Sequence, residues 1–289
     1  MTYRMRLVPV VAAALTLLPT IAAAACPDAK TIDAMAQAFF KKTPAPLLPS
    51  DASLDDAYCA QKKYVALLSR DLGKVVGYKA GLTNKPLQER FGAKEPLFGV
   101  MFAQQFLASG ISVDTQWLGV RPQYEADLIV TVKDERINEA RTPVEALRSL
   151  SEVFPYIEIL DLPAEVKSLN LATIAAYDIV SRSGVMGKGI PVQATAEFVE
   201  ALANMESTTT DDTGRVIQIA KGSDILGNPL NVVLWLTRFA NAQGYRLRAG
   251  DVLSLGAMGR FYAVEAGRTI KIRYTGLPGG DSEAVVTFR

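Results

Sequence analysis

Apolar and polar positions along the chain fall into blocks of helical and of strand periodicity. Over residues 28–42, Ile32, Met35, Phe39 and Phe40 recur at three- and four-residue spacing and share one helical face. A Pro-rich connector, KTPAPLLPS at 42–50, separates this helix from a second at about 53–70, where Ser53 and Asp56 are spaced as a capping box. From residue 74 the pattern turns to strands. KVVGYKAGL (74–82) carries Gly77 and Gly81 where backbone must approach closely or turn, and FGVMFAQQFL (98–107) reads as another strand. Over 125–132, Glu125, Asp127 and Ile129 alternate with Leu128, Val130 and Val132. Thr142-Pro143-Val144-Glu145 is a capping box with proline in the first turn, so a helix is predicted from there to about residue 153. FPYIEILDLP (154–163) is a strand with proline stops on both sides. GNPLNVVLWLTRFANAQG (227–244) is a helix with an Asn228 cap, Pro229 at its first position and Gly244 at its stop. Strand-like runs at 251–255, 269–275 and 283–288 close the chain. Helices and strands mix without strict alternation, which predicts an α+β fold with a mixed sheet.

The N-terminus stands apart from these blocks. Arg4 and Arg6 precede an apolar stretch over 7–18 and then the small residues TIAAAAC. That is the layout of a secretory signal peptide, with cleavage expected near Ala25. The apolar run is too short for a committed membrane span. Three parts follow: a signal peptide over 1–25, a small N-terminal helical region over 26–72, and a main domain over 73–289. The expected location is periplasmic or secreted, with no membrane attachment after cleavage. A lipoprotein is the lesser reading, because Ala23-Ala24-Ala25-Cys26 lacks the usual leucine. Cleavage removes Arg4 and Arg6 from a chain of 31 basic and 30 acidic residues, which stays near neutral. Such a balance gives no electrostatic footprint for nucleic acid or an anionic membrane. The chain's two cysteines, Cys26 and Cys59, form a candidate disulfide in an exported protein, tying the mature N-terminus to the second helix; the alternative is two free thiols.

Composition narrows the chemistry further, because the chain has no histidine. Ser-His-Asp and Cys-His nucleophilic machinery and histidine-ligated zinc are excluded. Any metal must be held by oxygen, which favours Mg²⁺, Mn²⁺ or Ca²⁺. Any general acid or base must be Asp, Glu, Lys, Tyr or water. Within RPQYEADLIV (121–130), Glu125 and Asp127 are two apart on a strand and so point to the same face. Glu158 lies on another predicted strand, opposite in sense to Ile157 and Ile159. Either this face is solvated, or a cation lies among the three carboxylates. Lys79, between two glycines in GYKAGL, is either a surface lysine or a charge partner for an acidic substrate. GKG at 187–189 could form an anion-binding turn, a weak signal; no P-loop or dinucleotide fingerprint is present.

Taken in order, GYKAGLTNKPLQERFG, EPLFGVMF, RPQYEADLIV, YIEILD and NPLNVVLWLTRFANAQGYRLRAGDVLSLG resemble the 2-keto-4-pentenoate hydratase / 4-oxalocrotonate decarboxylase group of the fumarylacetoacetate hydrolase superfamily. The resemblance runs over roughly 30–289. It implies a large mixed β-sheet rolled around the active site, with peripheral helices. It implies Mg²⁺ (or Mn²⁺) held at the positions of Glu125, Asp127 and Glu158, Asp127 standing where the family has glutamate. It places Lys79 beside the substrate oxygens as a catalytic and substrate-binding residue, with Leu82 as a further substrate contact. The implied activity is that of a hydro-lyase adding water to a 2-hydroxydienoate or 2-oxoalkenoate through a metal-stabilised enolate. The same enolate serves decarboxylation or C–C hydrolysis, so those reactions stay open, as does a non-catalytic periplasmic protein that binds an oxoacid. The implied partner is a small 2-oxo acid, and the family suggests a homo-oligomer. Three positions depart from the family pattern. Leu97 stands where an acidic residue often precedes Phe-Gly, with Glu95 two residues earlier. The family's Asp-Asn segment is not recognisable in TIAAYDIVSRSG, although Asp178 and Ser181 are near. Leu255 stands where a small hydroxyl residue commonly precedes the glycine.

Overall fold

The structure is a computed structural model that describes Met1 and residues 26–289; the expected signal peptide lies outside the described residues. In chain order the elements are α1 (Ala29–Lys41), α2 (Leu54–Leu72), β1 (Val75–Gly81), α3 (Lys85–Phe91), β2 (Leu97–Phe102), β3 (Phe106–Ala108), β4 (Ile111–Val113), β5 (Pro122–Val132), α4 (Pro143–Arg148) and β6 (Leu150–Asp161). They continue with α5 (Leu171–Ala176), β7 (Ser181–Met186), β8 (Ile190–Pro191), α6 (Ala196–Asn204), β9 (Glu206–Thr210), β10 (Val216–Lys221), α7 (Pro229–Ala242), β11 (Val252–Ala257), β12 (Tyr262–Ala263), β13 (Thr269–Thr275) and β14 (Ser282–Phe288). The fold is α+β. Its main sheet curls in the order β2-β1-β11-β5-β6-β7-β3, with β12 added beside β5 and β8 beside β6. It is mixed: β1 pairs β11 and β3 pairs β7 in parallel, while β5 pairs both β11 and β6 antiparallel. A second sheet runs β10-β9-β13-β14-β4.

Strand alternation sends two sets of side chains to the two faces of the curled sheet. Tyr78, Leu128, Val130, Ile157, Ile159 and Leu253 are all buried on one face. There α7 packs on β1 and β11. Its Trp235 and Phe239 stack, and Phe239 stacks in turn on Phe98 of β2. The capping predicted for this helix is present, with Asn228 Oδ1 accepting from the Leu230 N–H. The other face carries Met101, Ile129 and Tyr156 in a small apolar cluster beside the acidic positions. The second sheet covers that side, with Tyr274 of β13 donating its hydroxyl to the Asp127 carbonyl oxygen.

The N-terminal helices share this core. Met35, Ala57, Ala60, Tyr64 and Leu68 are buried in it. Buried Gln61 of α2 donates from its amide nitrogen to the Phe98 and Ala175 carbonyls, at 2.8 and 2.9 Å. Cys26 and Cys59 are disulfide-bonded, with their Cα atoms 5.5 Å apart.

Three local expectations are corrected. The helix after Thr142 stops at Arg148 rather than near 153, because the chain from Leu150 is taken up by pairing with β5, Val132 opposite Leu150. The 98–107 run is two strands: Gln105, buried in a short turn, accepts from the Phe102 N–H at 2.8 Å and sends β3 to the far edge of the sheet. Pro155 does not stop a strand but lies within β6. It falls between the stretch of β6 that pairs β8 (Glu152, Val153) and the stretch that pairs β7 (from Tyr156), where a missing N–H costs no ladder bond. No helix among the described residues is long and apolar enough to cross a membrane.

Candidate metal centre and active site

Register builds the acidic cluster. In the β5–β6 pair, Glu125 lies directly opposite Glu158, and Asp127 lies two residues along the same face. Like charges placed opposite one another on adjacent strands repel. Here the three carboxylates converge, each offering an oxygen within 4.8 Å of the others. Asp127 is fully buried and Glu158 is 2% exposed, so the solvated-face alternative does not hold; Glu125 is half-buried. Lys79 is 1% exposed and points from β1 into the same space, where its ammonium pairs with Glu158 Oε1.

Each carboxylate is aimed by neighbours. Glu158 Oε1 also accepts from the Ser181 hydroxyl at 2.9 Å. Asp127 Oδ2 accepts from the Ser254 hydroxyl at 2.9 Å, and its Oδ1 accepts from the Gly256 N–H at 3.1 Å. The Gly256 contact depends on a register shift in β11 between Ser254 and Ala257, which turns the Gly256 amide toward Asp127. Gly256 has φ +94°, and a Cβ there would fall 2.0 Å from Thr83 Oγ1, so only glycine fits. Leu255, flagged as a lost hydroxyl, packs fully buried in the main core, and the hydroxyl that reaches Asp127 is the preceding Ser254.

The electrostatics express crowding. Burial first, and then the facing Glu158, push the Glu125 carboxyl up to about 8. Burial and the charges of Glu158 and Glu125 hold the Asp127 carboxyl well above the usual carboxylate range. Burial pulls the Lys79 ammonium down, but the charge and hydrogen bond of Glu158 outweigh it, with Asp127 and Asp178 adding, and leave it above its ordinary value. Asp178, also buried, is pushed up to about 7 by desolvation, against the Val100 N–H bond and the Lys79 charge that favour its ionised form. It opens a stretch of three left-handed residues, Asp178, Ile179 and Val180, with φ +54°, +55° and +52°. Such a conformation is rare for β-branched side chains and clusters at functional sites.

A cleft open to solvent stands over the cluster with Lys79, Glu125 and Glu158 in its lining. Leu82, itself left-handed at φ +55°, lines it as well. Glu95 is engaged elsewhere, accepting from the Trp235 indole N–H at 2.8 Å. The GKG turn is likewise occupied, since the Gly187 N–H donates to the Pro155 carbonyl. Ser254 and Gly256 escaped the sequence reading, although the alternation of LSLGAM puts them on one face with each other.

An oxygen-only donor set that includes a fully buried carboxylate fits a hard divalent cation. One lysine does not neutralise three converging carboxylates, so a cation among them relieves the remaining repulsion.

No family model matches the chain. A 2-keto-4-pentenoate hydratase from Dechloromonas aromatica (strain RCB) is 30% identical over 264 residues, spanning 91% of this chain and 95% of that one. The chain belongs to the 2-keto-4-pentenoate hydratase family. A second hydratase of that name, from Burkholderia vietnamiensis, is 30% identical over 227 residues, covering 78% of this chain and 84% of its own. The family's breadth shows in a 4-oxalocrotonate decarboxylase from Pseudomonas putida, 25% identical over 222 residues. Among solved structures, the 4-oxalocrotonate decarboxylase from Pseudomonas putida G7, complexed with magnesium and adipate, superposes with a TM-score of 0.74 at 21% identity, covering 90% of this chain and 96% of that one. Fumarylpyruvate hydrolase from Pseudomonas aeruginosa, in complex with Mn²⁺ and pyruvate, does so with a TM-score of 0.55 at 18% identity, covering 73% and 89%. These likenesses show that the chain shares the fold of those enzymes.

Proposed function

We propose that the protein is an exported, Mg²⁺-dependent hydro-lyase that adds water to a 2-hydroxydienoate or its 2-oxoalkenoate tautomer. The convergence of Glu125, Asp127 and Glu158 beside buried Lys79 carries this reading. Those three carboxylates would hold the cation, with Mn²⁺ as the alternative ion. When bound, the cation supplies Lewis acidity toward the carboxylate and carbonyl oxygens of a chelating 2-oxo acid.

The chain's own residues have distinct tasks. Lys79 stays charged, and its ammonium neutralises and orients the substrate oxygens as negative charge develops on them. Ser254, the Gly256 amide and Ser181 fix the carboxylates so that their geometry does not drift between turnovers. Asp178 touches Lys79 electrostatically rather than the substrate; it is a positioning residue whose proton sits near neutrality. Leu82 and the other apolar walls limit water around the reacting carbons. Export rests on the charged and apolar pattern over 1–25, and the paired cysteines support an oxidising compartment. A homo-oligomer is proposed from the family resemblance alone.

The test is to incubate the mature protein, with Mg²⁺, with 2-hydroxypenta-2,4-dienoate and to follow loss of the dienol absorbance. Turnover that disappears with EDTA and in Glu125→Ala is expected. A protein that binds pyruvate or oxalate but turns over no dienoate would instead be a binder, and evolution of CO₂ from a 4-oxalocrotonate substrate would favour decarboxylation.

A further inference from the structure

No residue of α2 lines the cleft, yet α2 grips the strand beside Lys79. β2 is an end strand of the main sheet, and its Gly99 lies opposite Lys79 of β1. The backbone groups of Phe98 and Val100, on either side of Gly99, face away from β1 along the open edge. Side chains take them there. The Phe98 N–H donates to the Tyr58 hydroxyl at 3.1 Å, and the Phe98 carbonyl accepts from the buried Gln61 amide. Tyr58 and Gln61 are three residues apart and so share one face of α2. The Val100 N–H donates to Asp178 Oδ1 at 2.8 Å.

The Gln61 amide also donates to the Ala175 carbonyl, in the last turn of α5 and three residues before Asp178. One buried amide thus spans from the edge of β2 to the end of α5. It closes a ring that runs through Phe98, Val100, Asp178 and Ala175. A Cβ added at Gly99 would fall 2.9 Å from Asp178 Oδ1 and 3.0 Å from Lys79 Cγ, so the carboxylate and the lysine stem flank the same bare point of backbone. Asp178 also opens the left-handed stretch, a strained backbone that persists only where its surroundings hold it.

We propose that Gln61, seconded by Tyr58, is a positioning residue for the hydration: it locks β2 to the end of α5 and so holds Asp178 against Lys79. The inference rests on the reading above, in which the Lys79 ammonium meets negative charge developing on the substrate oxygens. An ammonium that drifts loses more at the transition state, where that charge is greatest, than in the bound substrate. The loss therefore falls on kcat rather than on KM.

Gln61→Met keeps the length of the side chain and removes both donors. Turnover of 2-hydroxypenta-2,4-dienoate with Mg²⁺ is measured well below the variant's melting temperature. kcat is expected to fall about tenfold or more, with KM within about twofold of the unaltered protein. Leu202→Ala, a buried change on α6, should lower the melting temperature without moving kcat. In an Asp178→Asn background, Gln61→Met should cost less than about threefold, because the charge it aims is already gone. A parallel readout needs neither metal nor turnover: hydrogen exchange over 97–102 and 175–181 should quicken in Gln61→Met and not in Leu202→Ala. If Gln61→Met does not fold, Tyr58→Phe, which removes only the acceptor for the Phe98 N–H, should show the same pattern at about threefold. Unchanged kcat in a folded variant overturns the proposal, and so does the full loss repeated in the Asp178→Asn background. A protein that turns over no dienoate fells the hydratase reading instead; exchange then decides the clamp alone, and unchanged exchange over 97–102 overturns it.

Discussion

At the residue scale, the site is a balance between one buried lysine and three converging carboxylates, two of them buried and Glu125 half-buried. Lys79 and Glu158 form an ion pair with almost no solvent contact. Breaking such a pair from one side leaves a stranded charge and costs about 3–5 kcal/mol. Lys79→Met is therefore expected to destabilise the metal-free protein by about that amount in urea melts, and Glu158→Gln in the same chain should recover most of it. The raised carboxyls make a second prediction. Asp178 is pushed to about 7 and Glu125 to about 8, both far above unfolded carboxylates. Between about pH 4 and 8 the folded state keeps protons that the unfolded state has released, so stability falls as pH rises through that window. Melting temperature in EDTA should thus decline from pH 5 to pH 8. If the three carboxylates hold Mg²⁺ as proposed, the cation competes with the Glu125 proton, so its stabilising shift should be larger at pH 8 than at pH 5. A flat profile in EDTA would contradict the burial that raises these groups.

Elements decide which residues meet. β5 and β6 are long antiparallel partners, and their register alone sets Glu125 against Glu158; a one-residue slip would turn either set to the opposite face of the sheet. The irregularity in β11 is equally specific, since it brings a backbone amide to Asp127. Gly256→Ala must place a side chain at φ +94° and into Thr83. It is expected to lose more than about 1 kcal/mol of stability and to weaken Mg²⁺ binding, both read from one set of denaturation curves with and without Mg²⁺. Sequence periodicity was reliable for the elements whose apolar stripe is strong, such as α2 and α7, whose observed bounds lie close to the predicted ones. It gave way at Arg148, where pairing with a distant strand rather than local preference ends the helix, and at Ala103, where the Gln105 side chain takes up the Phe102 N–H and divides the run into two strands. Short or weakly patterned pieces such as α3, α5, α6 and β9 left no periodic signal long enough to read.

At the scale of the whole molecule, the N-terminal helices, the curled sheet and the second sheet are one packing unit. The Cys26–Cys59 bond closes a loop across a sequence separation of 33 and pins the start of the described chain to α2. Loop entropy puts its contribution at about 3–4 kcal/mol. Reduction is expected to lower the denaturation midpoint accordingly and to steepen the denaturant dependence somewhat, because the released unfolded chain is less compact, a difference readable in paired curves with and without reductant. The sequence by itself determined the chemistry open to this protein: without histidine only oxygen ligands and carboxylate, lysine or tyrosine acid–base groups remain, and two same-face carboxylates on β5 already marked the place. The tertiary structure decided the rest. It set Glu158 opposite Glu125, buried Lys79 among them, replaced the missing hydroxyl at Leu255 with Ser254, and lined the cleft with apolar side chains drawn from 160 to 180. Alternation along a strand is a local property that a sequence carries openly. Register between strands, and the burial that follows from it, depends on contacts far apart in the chain and exists only once the whole sheet has curled.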